Sequence, residues 1–170
     1  MKKIYSLLVT LMTTIVSFSS FAQEVGNTSA SFQLPKGFKQ TPVTEYRTLI
    51  KKHLSVPMQH SDEDIYYYND KGIGLVVRAG EPNRFMPASL SERKQMYDGL
   101  GFDNYSSAIE IFNGAKFLIV KYTFGGGCYT EIASDLKQGK YTIIVLECNK
   151  TMSEEENSIV ESIKKTVRLK

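Results

Sequence analysis

The sequence predicts an α+β fold, a three-layer sandwich in which a mainly antiparallel sheet carries helices on both faces. Three observations lead there. Residues 106–149 read as a meander of four strands separated by Asn113-Gly114, Gly125-Gly126-Gly127 and Lys137-Gln138-Gly139, turn sequences suited to the positive φ angles of tight hairpins. Both alternating residue sets of that meander are apolar, so both faces of the sheet need cover. Three stretches elsewhere carry the apolar spacing or the capping signals of helices, and helices supply that cover.

Taken in order, the chain opens with an export signal. Lys2 and Lys3 precede an apolar run over 4–18, and Ser20-Phe21-Ala22 is a small-x-small cleavage signature, so residues 1–22 read as a signal peptide and Gln23 as the mature N-terminus. The run is too short and too rich in Thr and Ser to be a comfortable membrane anchor, and no Cys follows it to take a lipid. Removing it takes away two Lys and no acid, which lowers the net charge from +3 to +1. A near-neutral domain has no electrostatic case for nucleic acid or an anionic membrane surface. No later segment is long and apolar enough to span a bilayer, and the expected destination is periplasmic or secreted.

Residues 23–29 read as a disordered lead-in, and 30–170 as a single domain large enough to bury a core without metal. A strand is expected over 30–34, closed by the turn Pro35-Lys36-Gly37. Thr41 is positioned to cap a helix with Pro42 first, burying Val43, Tyr46, Leu49, Ile50 and Leu54 before Pro57 stops it. A hairpin follows over 65–69 and 73–78 around Asp70-Lys71-Gly72. Ser89 and Glu92 form a capping box for a second helix ended by Gly99 and Gly101.

In the meander, Asn113-Gly114 sets Phe112 opposite Ala115 and Ile109 opposite Leu118. Three-residue loops centred on Gly126 and Gln138 then put Leu118, Val120, Ile132 and Ile144 on one face, beneath the C-terminal helix. That helix is expected from Ser153, with Glu156 completing a second capping box, and its stripe is Met152, Ile159, Val160, Ile163 and Val167.

This order of elements, with the turn Pro35-Lys36-Gly37-Phe38 and the closing Ile159-Val160-Glu161-Ser162-Ile163, resembles the PsbP-like family, with its PsbP, Mog and DcrB types. The resemblance spans the mature chain and rests on element order and those two loose motifs. It implies an α/β/α sandwich acting as an accessory or binding subunit, with no catalytic set to transfer and no cofactor. The chain departs from the DcrB type in lacking a lipidated Cys.

Cys128 and Cys148 are each ten residues from Gln138, so the third hairpin sets them opposite one another on one face. In an oxidising compartment that pairing predicts a disulfide, at a hydrogen-bonded pair where the bridge is feasible but less relaxed. A thiol nucleophile would need a base, and His53 and His60 have no spacing that brings one to it. His60-Ser61-Asp62-Glu63-Asp64 concentrates possible ligands, yet lacks the spacing and glycine of a known metal loop and reads as a solvated acidic turn. Gly125-Gly126-Gly127 reads as a turn rather than a phosphate cradle, since no helix start follows it. Tyr66, Tyr67 and Tyr68 alternate along one strand, so at least one points away from the buried face, and the three are a possible partner surface.

The function expected is that of an exported, non-enzymatic accessory or binding protein of the envelope, recognising a protein partner or a small ligand through a sandwich face or rim. The alternative is a small secreted hydrolase or metal-dependent enzyme built on His60, Asp62 and Asp64. No catalytic, cofactor or metal residue is assigned, because the acid, base and nucleophile candidates fall on different elements.

Overall fold

The computed structural model describes residues 23–27 and 29–170, and the expected export segment 1–22 lies outside the described residues. The elements are β1 (Glu24–Gly26), β2 (Ala30–Gln33), β3 (Lys39–Gln40), α1 (Val43–Ile50), β4 (Ile65–Tyr68), β5 (Gly74–Gly80), α2 (Leu90–Asp98), β6 (Asp103–Phe112), β7 (Ala115–Phe124), β8 (Gly127–Ser134), β9 (Tyr141–Asn149), α3 (Ser153–Thr166) and β10 (Arg168–Leu169). Seven strands form one antiparallel sheet in the order β3-β4-β5-β9-β8-β7-β6, and β1-β2-β10 form a small second sheet. The class is the expected α+β.

Each face of the large sheet is covered. One core packs Leu75, Val77, Phe117, Ile119, Ile132, Ile144 and Leu146 with α3 residues Ile159, Val160 and Ile163 and with Phe32 of the small sheet. The other packs Val76, Leu118, Val120, Ala133, Ile143 and Val145 with Tyr46 and Ile50 of α1 and Leu90 and Tyr97 of α2. Strands buried on both faces read as continuous apolar runs, which is the pattern of residues 117–120 and 143–146.

Local chemistry sets the ends of several elements. The Ser89–Glu92 capping box forms as expected, with Glu92 N donating to Ser89 Oγ at 3.2 Å and Ser89 N to Glu92 Oε2 at 3.4 Å. The first meander turn also forms as expected, with Asn113 and Gly114 at φ +53° and +78° and Phe112 opposite Ala115.

Four expectations are corrected. Residues 23–29 are not an unstructured lead-in throughout, because Glu24–Gly26 pair with β2 and Val25 is buried in the α3-side core. Thr41 does not cap α1, since its hydroxyl donates to Lys39 O and Pro42 holds the N-cap position. Ser153 is the first residue of α3 rather than its cap, because a 3₁₀ turn over Lys150–Met152 precedes it.

The fourth is the second meander turn. It is a two-residue turn, Gly125-Gly126 at φ +55° and +83°, that pairs Phe124 with Gly127. A one-residue change in register exchanges the faces of the following strands. Leu118 and Val120 therefore face α1 and α2, whereas Ile132 and Ile144 lie beneath α3.

Candidate functional site

At one end of the sheet, the loop over 51–64 folds back across the ends of β8 and β9. A buried carboxylate holds it there. Glu147 accepts hydrogen bonds from Tyr46 Oη at 2.6 Å, Met58 N at 3.2 Å and His60 Nε2 at 3.1 Å. Arg78 Nη2 donates to His60 Nδ1 at 3.0 Å, which leaves Nε2 as the nitrogen that carries the proton towards Glu147. The His60 and Glu147 side chains are 3% and 0% exposed. Tyr129 Oη adds a 2.6 Å hydrogen bond to Val56 O.

A second buried acid, Glu131, accepts from Tyr97 Oη at 2.6 Å and Tyr122 Oη at 3.0 Å. Burial, followed by the nearby carboxylates, pushes the phenols of Tyr46, Tyr97 and Tyr122 well above their ordinary range, so they remain proton donors to these acids. Satisfied networks of this kind make the end of the sandwich rigid, and they offer no free acid or base to a substrate.

Two concave surfaces lie at this end of the molecule, and the loop lines the first of them. A pocket of about 430 Å³ lies over Tyr46, Ile50, Met58 and His60. A more open groove of about 790 Å³ runs along the β7–β8 turn, lined by Asp103, Thr123, Phe124, Cys128 and Lys150 among others. Val56 and Phe124 are 44% and 54% exposed at this end of the molecule. Val56 packs close against the turn, where a Cβ on Gly125 would approach its Cγ2 to 2.8 Å.

The residues singled out in the sequence are distributed differently from expectation. Tyr66, Tyr67 and Tyr68 do not form a surface: Tyr66 packs on Tyr46 with ring centroids 4.8 Å apart, Tyr67 lies in the α3-side core, and Tyr68 is half-buried against the other core. A strand buried on both faces has no side for an exposed aromatic. His60, Asp62 and Asp64 do not converge. Asp62 pairs with Arg47 at 2.7 Å, Asp64 with Arg78 at 3.3 Å, and His60 turns inward to Glu147. Among the described residues, no group of three or more His, Cys, Asp and Glu is placed to hold a metal ion.

Cys128 and Cys148 are opposed as Cα partners, the register read from the sequence. Both thiols are buried and free, and the expected bridge is not formed in this structure. Lys150 N donates to Gly126 O, and two residues further on the alternation makes the cysteines a hydrogen-bonded pair, the less relaxed site for a bridge. Glu131 and Glu147 were not singled out in the sequence. Their signal was present: each is an acid inside an otherwise apolar strand run, where burial demands a partner.

No family model matches the chain, and no curated protein matches it. The solved structures it is similar to include the solution structure of cyanobacterial PsbP (CyanoP) from Synechocystis sp. PCC 6803, with a TM-score of 0.52 at 13% identity over 87% of this chain and 92% of that one. A crystal structure from Bacteroides thetaiotaomicron VPI-5482 has the same TM-score at 11% identity, over 83% of this chain and 45% of that longer one. The Saccharomyces cerevisiae Ran-binding protein Mog1p is more distant, with a TM-score of 0.46 at 12% identity over 86% and 94% of the two chains. The fold is PsbP-like.

Proposed function

We propose that this chain is an exported, non-enzymatic accessory protein of the cell envelope that binds a protein partner along the rim formed by the loop over 51–64 and the β7–β8 turn. In this reading residues 1–22 direct export and are removed, and the rest acts as one domain outside the cytoplasm. The observation that carries it is the exposure of Val56 and Phe124 beside an open groove of about 790 Å³, on a rim made rigid by the buried Glu147. Rigid apolar anchors beside a polar groove suit protein recognition, because little side-chain or loop entropy is lost on binding.

Two facts support a binding role over a catalytic one. The buried acids at the rim, Glu131 and Glu147, are spent on tyrosines, a histidine and a backbone amide. The acidic turn of the loop is divided between Arg47 and Arg78.

The test is affinity capture from the native envelope fraction with the wild type and with Phe124→Asp and Val56→Asp side by side. A partner retained by the wild type and lost by both variants, at unchanged stability, is the expected result. A partner held equally by all three would move the surface elsewhere. Mass spectrometry of the protein from its host should find Gln23 as the first residue, and an intact Met1 on a cytoplasmic species would end the export reading.

A further inference from the structure

The strand pair behind the groove and the helix α3 packed on it hold two features that the binding reading leaves unused: a cross-strand pair of thiols and a buried carboxyl with an unsatisfied oxygen. We propose that Cys128 and Cys148 form a dithiol oxidised by low-molecular-weight disulfides, in which Cys128 opens the small disulfide from the groove, Cys148 resolves the mixed disulfide, and Glu156 accepts the Cys148 proton. The proposal does not depend on a partner at the rim.

The two cysteines are not equivalent. They are Cα partners on β8 and β9, yet Cys128 is 8% exposed and lines the groove, whereas Cys148 is fully buried behind it. A small disulfide in the groove thus meets Cys128 first. Glu156, on α3, is 4% exposed, and its Oε1 has no hydrogen-bond partner. Thr130, two residues along β8 from Cys128 and on the same face, likewise has an unpartnered Oγ1. A buried carboxyl left open on a face that also carries two thiols is an available proton acceptor.

The electrostatics agree with that order. Burial, then the charge of Glu156, pushes both thiols above their ordinary range, but Lys150 beside the groove opposes the rise at Cys128 alone. Cys128 is therefore the easier thiolate, and for Cys148 loss of the proton is the obstacle a base removes. Burial, opposed by the Thr130 hydroxyl and by Lys121, raises the Glu156 carboxyl as well, which brings it nearer to a thiol in proton affinity.

The chemistry balances with oxidised glutathione as the oxidant. The Cys128 thiolate attacks one sulfur, the glutathione S–S bond breaks, and one glutathione thiolate leaves and takes a proton. Cys148 then gives its proton to Glu156, its sulfur attacks Cys128 Sγ, and the second glutathione leaves and is protonated in turn. The protein dithiol is oxidised by two electrons and one glutathione disulfide is reduced to two thiols. A bridge at a hydrogen-bonded pair is less relaxed, which suits a reversible bridge better than a permanent one.

The experiment uses the purified, reduced protein with oxidised glutathione, sampled by acid quench and mass spectrometry. The wild type is expected to pass through a single glutathione adduct on Cys128 and end two hydrogens lighter, with no thiol reactive after unfolding. Cys148→Ala should stop at the adduct, and Cys128→Ala should react at least tenfold more slowly. Glu156→Gln should leave adduct formation unchanged and slow its collapse by about 10²-fold, with partial recovery in Glu156→Asp. An adduct mapped to Cys148 in the wild type, or one that persists there without bridging, would overturn the proposal without recourse to any variant. Equal slowing of both steps in Glu156→Gln would reject its role as proton acceptor.

Discussion

The Tyr46 hydroxyl on α1 donates a 2.6 Å hydrogen bond to Glu147 Oε1 on β9, joining positions 101 residues apart. The same carboxylate holds Met58 N and His60 Nε2, so this contact helps fix the loop over 51–64, alongside the Tyr129 bond to Val56 O. Gly74 makes room for it, since a Cβ there would run into the Tyr46 hydroxyl. Tyr46→Phe removes one donor from a buried acid without altering the packing, and the expected loss is about 1–3 kcal/mol in urea denaturation at unchanged m. A loss below about 0.5 kcal/mol would mean that Glu147 is satisfied without Tyr46.

The register of the meander gives a second prediction. Ile132 and Ile144 are cross-strand neighbours beneath α3, whereas Leu118 lies on the other face. Each to Ala is expected to cost about 2–5 kcal/mol. In double mutants the Ile132–Ile144 pair should couple by about 0.5 kcal/mol or more, while Leu118 and Ile144 should add. Coupling of Leu118 with Ile144 instead would return all three residues to one face.

The β7–β8 turn separates two costs of a side chain. Gly126 is at φ +83° with open space around it, and Gly125 is at φ +55° against Val56. Gly126→Ala should cost about 1 kcal/mol through backbone strain alone. Gly125→Ala should cost more and should shift Val56, a change visible as altered amide chemical shifts in the loop over 51–64. Equal costs at the two positions would mean that Val56 yields freely.

Asp98, at the end of α2, accepts hydrogen bonds from Lys94 Nζ at 2.8 Å, Tyr105 Oη at 2.6 Å and Ser107 Oγ at 2.8 Å. These donors, Lys94 foremost, lower its carboxyl from 3.8 to about 2. A carboxyl lowered in the folded state contributes stability above its unfolded value, and that contribution is lost as pH falls from about 4 through about 2. Stability measured across that window should fall less steeply for Asp98→Asn than for the wild type. Parallel curves would show that Asp98 makes no such contribution.

Some of this was legible in the sequence because its physics is local. Asn113-Gly114 permits one tight turn, and Ser89 and Glu92 satisfy each other within a single helical turn. Cys128 and Cys148 stand opposite as expected, although the third turn is a two-residue Gln138-Gly139 turn closed by Lys137 and Lys140 and not a three-residue loop centred on Gln138. The three successive glycines at 125–127 were not decisive. Any of them tolerates positive φ, so a two-residue loop fits as well as the three-residue loop expected there, and the difference exchanges the face of every residue on β8 and β9 relative to β7.

What the sequence by itself determined is the α+β class, the helices and hairpins, and the existence of two apolar faces, because periodicity and turn chemistry act over a few residues. The tertiary structure alone decided which face each strand presents, that the three tyrosines are core rather than surface, that His60 turns inward while Asp62 and Asp64 go to separate arginines, and that Glu131 and Glu147 are buried with phenol partners. Those outcomes rest on desolvation. A polar group that loses water must take its hydrogen bonds from whatever the fold brings near, and for Glu147 that is a tyrosine 101 positions away.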